Sequence, residues 1–334
     1  MKLNINDIAR LANVSKATVS AVINDKPGVA LKTRQKVQDI VVRHNYKPNH
    51  MARSLSVRST KSIGLVIKEI DNPFYTKIMR GVYDVCSRHG YTVFLGSSEL
   101  LWEQEEKTME AFVQKQVDGL IVTPLNDFDR NSQSIANLIE RNFPLVMVGQ
   151  IKKYQTSSVR IDNIKAAKQA VTFLIKNGHT QIAYFSGPSN SLHSEERFQG
   201  YKEALIEAGL QLQSKWCIAA GPKFDDGFEN GMQLFSGTSE RPTAVFCYND
   251  LVAIGLIQAL KIQKIRVPQD IAVVGFDNID FSRFANISLT TVENPAREMG
   301  EAAARMVLKQ IENPDFILHD EIILDATLIE RDSA

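Results

Sequence analysis

Cysteine is scarce in this chain of 334 residues: Cys86, Cys217 and Cys247 are odd in number, far apart and without CxxC or helical metal-ligand spacing. That argues against a disulfide framework and a structural zinc site, and leaves core thiols. Histidine is also scarce, with six scattered residues that suggest no nucleophilic triad. Missing altogether are GxxxxGK followed by Ser or Thr, GxGxxG after a strand, HExxH and GxSxG. The common phosphate-cradling, dinucleotide, zinc-hydrolase and serine-hydrolase signatures therefore lend no support to an enzyme, and no cofactor is expected. No apolar run reaches the roughly 18 residues of a membrane span, and MKLNINDIARLA has no uninterrupted apolar segment with a cleavage site after it. The expected location is the cytoplasm.

What the chain does have is an uneven distribution of charge. Overall, 39 basic and 38 acidic residues nearly cancel, but residues 1–61 hold 12 Lys or Arg against 3 Asp or Glu, leaving 27 against 35 for the rest. A net of +9 on a short segment with a helical pattern is the electrostatic footprint of a nucleic-acid contact; a membrane-binding or solubilising arm is the alternative.

Within that segment Asn4 can cap a helix in which Ile5, Ile8 and Leu11 share one face and which ends near Asn13. Ser15 can cap a second helix with Val19, Val22 and Ile23 inside, and a third is expected from Leu31 to Asn45 with Val37, Ile40 and Val41 inward. Three short helices with a tight second connection match a helix-turn-helix bundle. The second helix turns Lys16, Ala17, Ser20 and Ala21 outward, small side chains that suit close approach. In a major groove, Lys16 and Ala17 would reach base edges while Ser15, Thr18 and Asn24 hydrogen-bond phosphates. A three-helix bundle that binds protein is the competing reading.

In YKPNHMARSLSVRSTKS, residues 46–62, Pro48 disfavours helix at Lys47 and makes Asn49 a natural cap for a helix of about two turns carrying Met51, Ala52 and Leu55. Leu55 could wedge between base steps in a minor groove; otherwise this is an ordinary linker.

From Ser62 onward, apolar runs alternate with amphipathic helical stretches: SIGLVIK, TVFLGS, DGLIVTP, PLVMVG, QIAYFSG, TAVFCYN and DIAVVGF. That pattern argues for parallel sheets covered on both faces, in a region too long for one comfortable sheet. Ligands of such sheets bind beyond the carboxyl ends of the strands. Asp71, Phe74, Tyr75, Asn126, Asn249, Asp250 and Asp277 follow such runs, Asp162 follows a further run, SVRI, and Arg197 lies in SEERFQGY. Carboxylates and amides accept from hydroxyls, Arg197 supplies a fork of donors, and the aromatic faces can stack on a sugar or a base. Each also has a plain alternative, a helix cap for Asp or Asn and a pair with Glu195 or Glu196 for Arg197. Without cationic lining beyond Arg197, the pattern points to a neutral sugar rather than a phosphosugar.

The stretches INDIARLANVSKATVSAVIN, KTRQKV and YKPNHMARSL resemble the DNA-binding and hinge region of the lac repressor and galactose repressor (LacI/GalR) family. NPFY, VDGLIV, IKNGHTQIAYFSGP, ERFQGY, PTAVFCYND and DIAVVGFDN extend the resemblance to about Leu328. It implies an N-terminal all-α helix-turn-helix domain (1–46), a hinge helix and linker (47–61) and an α/β periplasmic-binding-protein-like core (62–334). The core would comprise two parallel-sheet subdomains, 62–161 with 292–321 and 162–291 with 322–330, with chain crossings near 161–163, 289–293 and 320–323. The resemblance further implies a homodimer on a pseudo-palindromic operator in double-stranded DNA, with paired hinge helices inserting Leu55. Base choice would fall to Lys16, Ala17 and Ala21, and further DNA contacts to Asn4, Ser20, Thr33, Asn49, Met51 and Ala52. A small-molecule effector, a sugar by the chemistry above, would lie between Asp71, Phe74 and Tyr75 on one wall and Arg197, Phe224, Asn249 and Asp277 on the other.

Two departures from the family stand out. Ala21 replaces the usual arginine, so a different half-site is expected, and Ala30 replaces a serine that would cap the third helix. The chain stops soon after EIILDATLI without a heptad-rich helix, from which a dimer is expected rather than a tetramer. The function expected is a transcriptional regulator, most often a repressor in this family. The competing classes are a sugar-binding or sugar-modifying enzyme without DNA readout and a transport-associated binding protein, the latter requiring export.

Overall fold

Local caps set the first helices. A computed structural model describes residues 3–46, 59–125, 132–237, 240–284, 286–314 and 319–334, and divides into two units between Thr60 and Lys61. In the first unit Asn4 accepts from the N–H groups of Asn6 and Asp7. The Asp7 carboxylate accepts from the Asn4 N–H at 3.0 Å, a reciprocal cap that starts α1 (Ile5–Ala12). Asn13 closes that helix at φ 50°, a left-handed conformation that asparagine tolerates. Ser15 starts α2 (Lys16–Ile23) by accepting from the Thr18 N–H at 3.1 Å.

Helix α3 (Leu31–Arg43) begins at Ala30 without a side-chain cap and stops two residues short of Asn45. Its first turn is tied instead to the preceding loop, where Arg34 donates to the Asp25 carboxylate and the Lys26 carbonyl, each at 2.5 Å. Ile8, Ala9, Ala12, Val19, Val22 and Val37 form the core of this unit. Leu11, expected inside with Ile8, is 49% exposed. The buried stripe of α1 runs through Ile8, Ala9 and Ala12, so the position at Leu11 turns to its edge.

In the second unit, β1 (Ser62–Ile67), α4 (Pro73–Arg88), β2 (Thr92–Ser97), α5 (Trp102–Gln114), β3 (Gly119–Val122), α6 (Gln133–Glu140) and β4 (Leu145–Val148) alternate as expected, and β5 (Ser157–Ile161) follows β4 directly. They are followed by α7 (Asn163–Lys176), β6 (Ile182–Ser186), α8 (Leu192–Glu207), β7 (Cys217–Ala219), α9 (Phe224–Leu234), β8 (Ala244–Cys247), α10 (Asp250–Ile262) and β9 (Ala272–Asp277). The chain ends with β10 (Thr290–Glu293), α11 (Ala296–Glu312), β11 (Glu321–Leu324) and β12 (Thr327–Ile329).

Among the described residues the strands make two six-stranded sheets, ordered β11-β5-β4-β3-β1-β2 and β12-β10-β9-β8-β6-β7, parallel except for the β10–β12 pair. The fully buried runs of β1, β3, β4, β8 and β9 are what a sheet covered on both faces demands, while β2, β7, β11 and β12 are partly exposed. A continuous core joins Ile63, Leu65 and Ile67 of the first sheet to Tyr184, Phe246 and Phe276 of the second.

The chain passes between the sheets three times. The first passage is at Asp162. The second lies at 294–295, beyond the expected 289–293, because β10 pairs with β9 in the second sheet. The third lies at 325–326 rather than 320–323. EIILDATLI, read as one strand, is two: β11 pairs with β5 and β12 with β10, in different sheets. Strands β7 and β10 have no counterpart among the expected runs.

Candidate DNA-reading helix and effector cavity

Because Val19 and Val22 are held in the core, α2 leaves Lys16 and Ala17 exposed, with Ser20 and Ala21 half-buried. The hydroxyls of Ser15 and Thr18 lie 2.9 Å apart at its N-terminus, where the helix dipole and Lys16 both favour an anion. Asn4 spends its side-chain oxygen on the α1 cap, and Thr33 is half-buried in the first turn of α3. Asn24 closes α2 as its C-cap. Its amide donates to the Ser20 carbonyl at 2.8 Å, and its Oδ1 is buried with no partner among the described residues. Asn49, Met51, Ala52 and Leu55 lie outside the described residues.

In the second unit a cavity of about 460 Å³ opens at the carboxyl ends of the strands of both sheets. That volume is in the range of small-molecule sites. Phe74 and Tyr75, in the first turn of α4, contribute rings packed edge to face at 5.3 Å; Asn72 fixes that turn by accepting from the Phe74 N–H at 3.0 Å. From α8 comes Arg197, buried, donating from Nε to Asn163 at 3.1 Å and from Nη1 to the Tyr248 carbonyl at 2.5 Å. Its Nη2 lies 3.5 Å from Asp277 Oδ1, and its guanidinium sits 3.6 Å from the centroid of the Phe276 ring. Neither Glu195 nor Glu196 is its partner: Glu195 pairs with Lys152, and Glu196 accepts from Gln150 and Asn163.

Asp277 ends β9 at φ 106°, and its carboxylate also accepts from the Asn294 amide at 3.0 Å. Burial raises its pKa and the Arg197 charge opposes that rise. Two polar atoms of the wall, Asn294 Oδ1 and Thr123 Oγ1, are buried with no partner among the described residues. An unsatisfied buried acceptor costs free energy that a ligand hydroxyl can recover. His193 lines the same cavity, and burial holds its pKa well below the ordinary value, so it is neutral near pH 7.

The expected residues therefore separate. Phe74, Tyr75, Arg197, Asn249 and Asp277 line the cavity. Asn249 does so with a committed side chain, which caps α10 through Val252 N–H and donates to the Pro222 carbonyl. Asp71 is exposed and does not line it. Asp162 is the N-cap of α7, accepting from the Lys165 N–H at 2.9 Å, and Phe224 opens α9 with its ring stacked on Phe228; neither faces the cavity. Asp250 is buried, its carboxylate tied to Thr291 and the Ile279 N–H. Asn126 lies outside the described residues.

Residues not anticipated are Lys68, Thr123, Asn163, His193, Tyr248 and Asn294. Lys68 and Thr123 follow the runs SIGLVI and GLIV directly, so the strand-end rule could have found them. Asn294 follows β10, a strand that went unread. Nor is Arg197 the only cation on the wall, since Lys68 and Arg160 also line it.

Among the described residues no helix is long and apolar enough to cross a membrane. Residues 4–49 match the family described as bacterial regulatory proteins, lacI family, and residues 171–334 match a periplasmic binding protein-like domain. The HTH-type transcriptional repressor PurR of Aliivibrio fischeri (strain MJ11) is 34% identical over 98% of both chains. The ribose operon repressor of Haemophilus influenzae is likewise 34% identical over 98% of both. A solved complex of the transcriptional regulator CelR with cellobiose is 30% identical, covers 99% of this chain and 100% of its own, and superposes with a TM-score of 0.73. With a helix-turn-helix at one end and a two-sheet, cavity-bearing core at the other, the chain belongs to the LacI family of bacterial regulatory proteins, non-enzymatic transcriptional repressors that bind operator DNA and small-molecule effectors.

Proposed function

We propose that this repressor binds a pseudo-palindromic operator as a homodimer in the cytoplasm, and that a carbohydrate in the cavity sets its operator affinity. Lys16, Ala17 and Ala21 read base edges in the major groove. Ser15 and Thr18 hold the phosphates, Asn4, Ser20 and Thr33 make further DNA contacts, and Leu55 enters the minor groove at the centre of the site. Ala21 can touch a thymine methyl where a longer cation would have sought guanine.

The observation that carries the carbohydrate reading is the convergence, in one cavity, of the Arg197–Asp277–Asn294 network with the Phe74 and Tyr75 rings. Sugars present hydroxyls at their edges and C–H groups on their faces, and this wall matches both. Binding shifts operator affinity only insofar as the effector prefers one arrangement of the two subdomains. Contacts between the subdomains, such as Lys77 Nζ donating to the Asn278 carbonyl at 2.6 Å, are the ones expected to change between such arrangements.

Selection of bound sequences from a random duplex pool, with the full-length protein at near-physiological salt, tests the DNA half. A pseudo-palindrome with a preferred centre is expected; no enrichment with or without a sugar panel removes the operator assignment. For the effector half, thermal shift against sugars and nucleobases discriminates, and stabilisation by a nucleobase with no sugar active sinks the carbohydrate reading.

A further inference from the structure

Lys68 is the first residue beyond β1, only 6% exposed, and it lines the cavity at the end formed by the first sheet. Among the described residues its ammonium makes no hydrogen bond and no ion pair within 4 Å. Every other charge on the wall is either paired or in water. Arg197 faces Asp277, Arg160 is bonded to Glu321 at 2.6 Å, Glu69 lies 3.8 Å from Lys223, and Glu103 is exposed. Glu105, itself buried, is the opposing charge that acts most strongly on Lys68. Its Oε2 accepts from the Leu125 N–H at 2.8 Å, its Oε1 has no partner among the described residues, and burial pushes its pKa up to about 7. It is therefore an incomplete counter-ion at neutral pH, and the Lys68 pKa falls to about 8 in the same low-dielectric setting. On the next strand, where Val66 stands opposite Val122 and Thr123 therefore follows level with Ile67, Thr123 lines the same cavity with a hydroxyl that has no partner among the described residues.

A buried cation without a partner is costly, and a ligand anion is the chemistry that relieves it. We propose that Lys68 and Thr123 seat an anionic group of the effector, which makes the effector an acidic sugar bearing a carboxylate or a phosphate. This inference rests on the carbohydrate reading above.

Thermal shift and calorimetric titration of the full-length protein test it. The probes are hexuronates, aldonates and hexose phosphates, each beside its neutral parent sugar, together with inorganic phosphate and a nucleobase set. An acidic sugar is expected to bind where its neutral parent does not at equal concentration, and whether a carboxylate or a phosphate responds names the group. In Lys68→Met the acidic sugar is expected to lose about 10- to 100-fold in affinity. The ligand-free variant is also expected to melt above the parent, since an uncompensated buried charge has been removed. A neutral sugar binding as well as its acid overturns the anion seat and leaves the carbohydrate reading standing. Nucleobase binding alone overturns both, and inorganic phosphate acting alone keeps the seat but removes the sugar. Unchanged selectivity in Lys68→Met, or a lower melting temperature for the ligand-free variant, also overturns the proposal, the second by marking Lys68 as a structural partner of Glu105.

Discussion

Arg197 and Asp277 meet at 3.5 Å inside the cavity wall, with both side chains almost wholly removed from water. The guanidinium reaches three acceptors on three elements, Asn163 on α7, the Tyr248 carbonyl after β8 and the end of β9. Arg197→Met leaves the Asp277 charge buried with only Asn294 to solvate it, at a cost of about 3–5 kcal/mol. The variant is expected to melt lower and to lose its ligand-dependent thermal shift. Arg197→Lys is not expected to rescue either, because a single ammonium cannot span a planar fork of acceptors.

Gly200, one turn further along α8, is where that helix meets α7. A Cβ built there lies 2.2 Å from the Ile164 carbonyl oxygen. Gly200→Ala must push the helices apart, costing about 1–3 kcal/mol, and it displaces Arg197 with α8. A drop in melting temperature together with weaker effector binding is expected. Loss of stability with unchanged affinity would separate Gly200 from the site.

The missing cap of α3 gives a prediction of opposite sign. Ala30→Ser supplies an acceptor for the exposed first-turn N–H groups and is expected to stabilise α3 by about 1 kcal/mol. Ser15→Ala removes the cap of α2 and is expected to cost a similar amount. Amide hydrogen exchange in the two helices reads both changes directly.

Operator preference tests the outer face of α2. Ala21→Arg is expected to move the selected half-site toward guanine at one position. Lys16→Ala is expected to relax one base preference by about 1–3 kcal/mol; a uniform loss across all sequences would reassign Lys16 to the phosphates.

Stability should also report on Glu105. Its pKa is about 7 in the folded chain against 4.5 for the free group, so the folded state holds the proton more tightly between those values. The contribution of this carboxyl to stability therefore falls as pH rises from about 4.5 through 7. Glu105→Gln keeps an acceptor for Leu125 and cannot ionise. It is expected to be more stable than the parent at pH 8, with the difference closing near pH 5. A difference that does not depend on pH would show that Glu105 titrates alike in the folded and unfolded chain, and that its burial does not raise its pKa.

Capping residues and apolar periodicity are local, and they made the three N-terminal helices and most strands of the core legible without coordinates. The +9 charge of residues 1–61 and the small outer face of α2 pointed to DNA for the same reason. Where apolar pattern was broken by short strands, reading failed: β7, β10 and the split of EIILDATLI into β11 and β12 depend on pairing partners far along the chain.

The sequence by itself therefore determined the order of helices and strands, the repressor architecture and the strand ends where a ligand belongs, because side-chain period and caps act over a few residues. Tertiary structure alone decided how those ends converge. Asp162 became a helix cap, Arg197 found Asp277 eighty residues away, and Asn294 arrived from an unread strand. It also decided that Lys68, an ordinary lysine in the sequence, lies on the cavity wall and out of water, since burial and pairing are set by what folds back from elsewhere in the chain.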